Sequence, residues 1–182
     1  LRTNGGTLRA MDRAARDVLA PSFSFEGIDT FGQLDSLILD AAMQRNGVHR
    51  TEELVDRFKQ RFFRELLDET STILPGVAEL IDRLRADARY RLGLVTGNFR
   101  QSAETKLRGV GIDPEVFTAG AFGGEARSRS KLVRLAMERA ERLHGRPFHA
   151  GEVLIIGDTP RDVACATENG CLCLAVATGG FD

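Results

Sequence analysis

The chain has 182 residues, with 25 Lys and Arg against 26 Asp and Glu, a formal charge of -1 and a sequence pI near 6.4. That balance excludes a protein built mainly on phosphate-backbone affinity, which needs a basic excess, so no nucleic-acid partner is expected. Hydrophobic content of 42% is ordinary for a globular chain with a core. All basic residues except Lys59, Lys106 and Lys131 are arginine, a bias read here as GC-rich, bacterial genome composition.

No apolar run approaches the ~20 residues of a membrane helix, and the N-terminus lacks the basic, apolar and small-residue order of a secretory signal. No membrane partner is expected, and the default compartment is the cytoplasm. Cys165, Cys171 and Cys173 are an odd set without a disulfide framework. Cys171 and Cys173 would share one face of a strand, as a soft-metal pair would need, but small buried core residues are the simpler reading.

In chain order, residues 7–72 read as helices only. Thr7 is placed as an N-cap before Leu8, Met11, Ala15, Val18 and Leu19 at helical spacing, and Pro21 closes that segment. Leu34, Leu37, Ile38, Ala41 and Ala42 repeat the pattern up to Asn46-Gly47. Thr51 caps a third helix with Glu52 and Glu53 in its first turn and a stripe of Leu54, Phe58, Phe62 and Leu66. The phenylalanines here (Phe23, Phe25, Phe31, Phe58, Phe62, Phe63) are assigned to helix-to-helix core rather than to a substrate pocket.

From Ile73 the pattern alternates. Pro75-Gly76 opens a helix with Val77, Leu80, Ile81 and Leu84 on one face. Arg91–Val95 reads as a strand ending in Thr96-Gly97-Asn98, followed by a polar helix to Arg108-Gly109 and a strand at Val116–Ala121. Leu132, Leu135, Ala136, Arg139, Ala140 and Leu143 mark another helix, and Glu152–Ile156 a strand apolar enough to be buried on both faces. Pro160 begins a helix that stops at Asn169-Gly170, and Cys171–Ala175 is the last strand before a loop-like Thr178-Gly179-Gly180-Phe181-Asp182. Alternation with connections this short predicts an α/β fold with a doubly wound parallel sheet.

In such sheets ligands bind at the carboxyl ends of strands, which singles out two tips. At Thr96-Gly97-Asn98 a hydroxyl and backbone amides suit a phosphoryl or carboxylate oxygen, although the same triplet also makes an ordinary turn. At Gly157-Asp158-Thr159-Pro160-Arg161-Asp162 two carboxylates four residues apart suit a hard divalent cation such as Mg²⁺. The simpler assignment there has Asp158 cap the helix and Asp162 favour its dipole, which leaves Gly157 unexplained. Arg127-Ser128-Arg129-Ser130-Lys131 is a basic cluster ahead of a helix, one of whose cations would offset an anionic substrate. There is no G-x-G-x-x-G or Walker loop, and His49, His144 and His149 lack metal spacing.

Together these segments resemble the haloacid dehalogenase superfamily, in its phosphoglycolate-phosphatase-like branch, over nearly the whole chain. Ile73-Leu74-Pro75-Gly76-Val77 resembles the return from a helical cap, Leu94-Val95-Thr96-Gly97-Asn98 the second motif, and Ile155–Asp162 the fourth. The third motif needs a cation before a helix, for which Arg129 is favoured and Lys131 is the runner-up. The first motif, a strand running into Asp-x-Asp-Gly-Thr, is not in the sequence. Residues 1–6 are therefore read as the linker that follows it, and a degenerate pseudoenzyme is the alternative.

The resemblance implies a Rossmann-like core at 73–182, a helical cap at 7–72, and a central nucleophile strand lying between the strands that end at Thr96 and Asp158. It implies Mg-dependent hydrolysis of small organic phosphate monoesters through an aspartyl-phosphate, in a parent protein that supplies the nucleophile; this chain by itself is expected to be inactive. Thr96, Gly97 and Asn98 would bind phosphoryl oxygens and Arg129 would offset their charge. Asp158 would bind Mg²⁺ directly, while Asp162 would hold it through water or orient the ligands. A phosphomutase remains open, as does a non-catalytic protein that binds phosphate ligands or a protein partner. A dehalogenase fits less well, because metal-free carbon–halogen chemistry does not call for the Asp158/Asp162 pair.

Overall fold

The computed structural model describes residues 1–178; the expected loop at 179–182 lies outside the described residues. The chain forms two compact units. One comprises Leu1–Asp29, Ser36–Tyr90 and Gln101–Pro114, the other Thr30–Asp35, Arg91–Arg100 and Glu115–Asp182. The units therefore cross the expected 72/73 boundary, because helices on both sides of it belong to the first.

The first unit is helical: α1 (Gly6–Val18), α2 (Asp35–Arg45, its first residue in the other unit), α3 (Glu52–Leu66), α4 (Val77–Ala86) and α5 (Arg100–Gly109, from Gln101). Helix α1 starts one residue before Thr7. Gly5, with φ 78°, occupies the N-cap and offers no side-chain bond, a correction to the Thr7 cap. The Thr51 hydroxyl does cap α3, accepting the Leu54 N–H at 3.2 Å. The α3 stripe buries Val55, Phe58, Phe62 and Leu66, with Val55 in the place expected for Leu54.

Helix α3 packs on α1, where Met11, Ala14 and Ala15 are buried and the small alanines allow close approach. At the edge of this contact Arg13 pairs with Glu65 and with Glu69 (2.9 Å), and Arg9 with Glu69 (2.6 Å). The Arg9 guanidinium, with help from Arg13, holds the Glu69 carboxyl below its ordinary range. Phe23, Phe25, Phe58 and Phe62 are core, whereas Phe31 is 54% exposed. An antiparallel bridge joins Arg2 to Thr72, so the two ends of the 7–72 helical segment run side by side. Helix α4 forms where Pro75-Gly76 places it, yet it buries none of its residues, and Leu80 is 45% exposed.

The second unit carries the strands: β1 (Gly93–Thr96), β2 (Ala119–Phe122), β3 (Leu154–Gly157) and β4 (Leu172–Ala175), with α6 (Arg129–His144) and α7 (Pro160–Glu168). The β2 strand starts later than expected, because Pro114–Val116 forms a 3-10 turn. All pairing is parallel, β1 with β2 and β3 with β4, and among the described residues these are two separate two-stranded sheets. Helix α6 packs on β1 and β2, α7 on β3 and β4, and the two helices touch each other. Ala121, Phe122, Leu132, Val133, Cys165 and Ala166 form this core.

The β3 expectation needs correction. The parallel register sets Leu154 beside Leu172 and Ile156 beside Leu174, and all four side chains are about half exposed. Helix α7 packs on this pair from one side only, so continuous apolarity does not here mean burial on both faces. Leu143, expected on the buried face of α6, is also exposed. The cysteines likewise differ from the expected buried set. Cys165 is buried, which pushes its thiol up to about 11, Cys171 is half-buried and Cys173 is exposed. No group of three or more His, Cys, Asp or Glu that would hold a metal occurs among the described residues.

Candidate active site

All sequence-selected residues lie in the second unit: Thr96, Gly97 and Asn98 at the carboxyl end of β1, Asp158 and Asp162 just past that of β3, and Arg129 and Lys131 in the first turn of α6, after β2. At the β1 tip the chain turns at Gly97, and Asn98 folds back onto Thr96. The Asn98 N–H (3.2 Å) and its side-chain amide (2.7 Å) both donate to Thr96 Oγ1. A hydroxyl has two lone pairs and one proton, so with both lone pairs engaged Thr96 is committed as a donor. That is the polarity a phosphoryl oxygen requires.

The β3 tip is organised by α7. Pro160 is its first residue, and Thr159 rather than Asp158 is its N-cap. Thr159 Oγ1 meets the Asp162 N–H at 3.3 Å, and Asp162 closes a capping box in return. Asp162 Oδ2 accepts from the N–H groups of Asp158 (3.1 Å) and Thr159 (3.0 Å) and from the Thr159 hydroxyl (2.7 Å). Its other oxygen lies 2.9 Å from Arg129 Nε, a charge contact in which the N–H does not reach hydrogen-bond geometry. Asp162 is buried and Arg129 largely so, with side-chain exposures of 7% and 19%.

This packing accounts for Gly157, since a Cβ there would lie 2.3 Å from the Asp162 Cβ. The glycine that was unexplained as part of a simple helix cap is thus required by the close approach of α7. Asp158 is half-buried at the strand end, its Oδ2 3.4 Å from the Thr178 hydroxyl.

Arg129 is the first residue of α6, whose N-cap is Ser128, whereas Lys131 is exposed. The Arg129 Nη1 also donates to the Gly32 carbonyl at 3.2 Å. A short segment, Thr30–Asp35, belongs to this unit, and the sequence reading did not place it in the site. Its Asp35 N–H donates to the Gly97 carbonyl at 2.7 Å, and the Asp35 carboxylate accepts the Phe99 N–H at 2.9 Å. A Cβ on Gly97 would sit 2.3 Å from the Gln33 carbonyl, so only glycine admits the segment. Gly32 touches the Arg129 side and Asp35 the Gly97 side, and the chain between them extends at most about 10 Å. That reach brings the two strand tips to one end of the unit. The sequence carried no signal for it, because Leu34 and Asp35 read simply as the start of a helix.

What this arrangement can do follows from its charges and donors. A hydroxyl committed to donation, an arginine held by an acid, and a carboxylate at a strand tip together suit an anion that carries a hard cation.

A family model described as haloacid dehalogenase-like hydrolase matches residues 8–180. The chain is 28% identical over 167 residues to the phosphoglycolate phosphatase of Synechococcus elongatus, covering 90% of this chain and 74% of the relative. Among solved structures it is similar to a predicted phosphoglycolate phosphatase from Haemophilus somnus 129PT, with TM-score 0.65 and 22% identity over 97% of this chain and 80% of that one. It is also similar to CbbY from Rhodobacter sphaeroides in complex with phosphate, with TM-score 0.66 and 17% identity over 96% and 80% of the two chains. At these identities the two structures speak for the fold alone.

Proposed function

The chain belongs to the haloacid dehalogenase-like hydrolase family, and from that premise we propose that it provides the phosphate-binding and metal-binding parts of a Mg-dependent phosphatase. Its substrates would be small organic phosphate monoesters, and 2-phosphoglycolate is the first to try, given the activity named for its Synechococcus relative. The observation that carries the reading is the joint between Asp162, Arg129 and the Asp158 loop at the tip of β3. It supports the reading by tying the Arg129 guanidinium and the 158–159 backbone to one buried carboxylate at a strand tip.

In this reading the Thr96 hydroxyl and the Gly97 and Asn98 amides bind phosphoryl oxygens. Arg129 offsets the charge that builds on them in the transition state. Mg²⁺ takes oxygen ligands, keeps several waters and needs one or two carboxylates. The donor set fits in a specific division of labour: Asp158 offers its carboxylate, while both Asp162 oxygens are already engaged. Asp162 therefore acts by holding the 158–159 backbone and Arg129, with any metal contact made through water. When bound, Mg²⁺ would screen the phosphoryl charge as it meets the nucleophile.

The nucleophilic Asp and the acid two residues beyond it would come from an Asp-x-Asp-Gly-Thr segment of the parent protein. Its strand would pair with the edges of β1 and β3 that do not pair with each other.

The test is phosphatase rate against Mg²⁺ concentration for the full-length protein carrying this chain, with 2-phosphoglycolate and p-nitrophenyl phosphate. Asp158→Asn should lower turnover at least about tenfold and raise the Mg²⁺ requirement. Asp162→Asn should do the same less severely. An unchanged Mg²⁺ dependence in both variants would remove the metal assignment. Phosphate binding without turnover by the wild-type full-length protein would overturn the phosphatase reading.

A further inference from the structure

Resting on the phosphatase reading above, we propose that Asp35 is a positioning residue that sets the Thr96 donor through the Gly97–Phe99 turn. Asp35 is 4% exposed, a buried acid outside the residues assigned to phosphate or metal. It grips the turn at both ends, giving its own N–H to Gly97 O (2.7 Å) and taking the Phe99 N–H on Oδ2 (2.9 Å). The residue between those two anchors is Asn98, whose backbone and side-chain amides fill both lone pairs of Thr96 Oγ1. Fixing Gly97 and Phe99 therefore fixes Asn98, and Asn98 leaves the Thr96 proton with nowhere to point but outward.

A carboxylate this close to a phosphate loop would oppose an anionic ligand by charge alone. Its burial, with the Phe99 N–H donating to it, gives it a reason to be there that a surface acid lacks. The Gly32 end of the same segment accepts from Arg129 (3.2 Å). Residues 32–35 thus hold the donor side of the site and touch its cation as well.

Because Asp35 acts through Thr96 on phosphoryl oxygens, its loss should fall on kcat more than on KM. In the full-length protein, with p-nitrophenyl phosphate, Asp35→Ala should lower kcat about tenfold or more, the worth of a hydrogen bond to a charged group. KM should stay within about threefold, since the donor matters most as charge develops on the phosphoryl oxygens. Asp35→Asn, which keeps an acceptor for the Phe99 N–H, should restore kcat to within about threefold of wild type. The Phe99 amide should exchange faster in Asp35→Ala and near the wild-type rate in Asp35→Asn. In the Thr96→Val background Asp35→Ala should add little, because both changes remove the same donor.

Full additivity of the two losses, or an alanine variant with wild-type kcat, would overturn the proposal. Should Asp35→Ala fail to fold, Asp35→Glu keeps the charge but displaces the oxygen by a methylene, and wild-type kcat in that variant would overturn it equally. If Thr96→Val alone left kcat unchanged, the phosphate-loop reading would fail instead, and the two failures are thereby told apart.

Discussion

Helix α3 and strand β3 both carry clear apolar patterns in the sequence, and they end in opposite surroundings. On α3, Phe58 and Phe62 are fully buried with ring centroids 5.9 Å apart, against the alanines of α1. On β3, Leu154 and Ile156 remain 51% and 48% exposed beside Leu172 and Leu174. The period of a pattern fixes which side chains share a face. Whether that face is covered depends on which element meets it, and α1 meets α3 while α7 meets β3 from one side only. Apolar spacing therefore predicts an element's type and orientation better than its burial.

The largest test of this contrast is Phe62→Ala, which should cost about 3–5 kcal/mol in urea unfolding followed by circular dichroism. A loss below about 1 kcal/mol would mean that the α1–α3 contact is not the core described here. Next is Gly157→Ala. A Cβ placed 2.3 Å from the Asp162 Cβ must push α7 away from the β3 tip, at about 1–3 kcal/mol. The Asp158 and Thr159 amides should then lose protection in hydrogen exchange together, because one carboxylate oxygen holds both.

Smaller is the contribution of Glu125, which receives two bonds from Arg139 at 2.9 Å and the Phe122 N–H at 2.9 Å. The Arg139 guanidinium is the main cause that holds its carboxyl below the ordinary 4.5. A group depressed in the folded state adds stability above its unfolded value and loses it as pH falls through the folded one. The stability difference between wild type and Glu125→Gln should be about 1 kcal/mol near neutral pH and shrink below about pH 4.5. A difference that stays constant from pH 7 to pH 3 would deny the pair its role.

Smallest is Ile156→Thr, expected to change stability by under about 1 kcal/mol because the side chain is only half covered. A cost near that of Phe62→Ala would show that the β3–β4 face is covered in solution. That outcome would make the two regions alike.

How much was legible in advance varies by residue in a way chemistry explains. Thr51 as a cap, Pro160 at a first helical turn and the strand that runs up to Asp158 follow from local rules, since each depends on a few neighbours in sequence. Thr7 does not cap α1, because Gly5 in a left-handed conformation occupies the N-cap one residue before the helix starts and supplies no side-chain bond. At the β3 tip the sequence showed two carboxylates and a nearby arginine. It did not show that Asp162 spends both oxygens on Arg129 and the 158–159 backbone, which leaves Asp158 as the one offered to a cation.

By itself the sequence determined the α/β class, the alternation of elements, the family, and the two strand tips that carry polar residues. Those rest on periodicity and on short motifs, which act over a few residues of chain. Tertiary structure alone decided that residues 30–35 meet the Thr96 turn, more than sixty positions away, and that Gly97 must lack a side chain where that segment comes close. It also decided which apolar faces are covered. The reason in each case is the same: these are contacts between parts of the chain distant in sequence, and no local pattern encodes the partner.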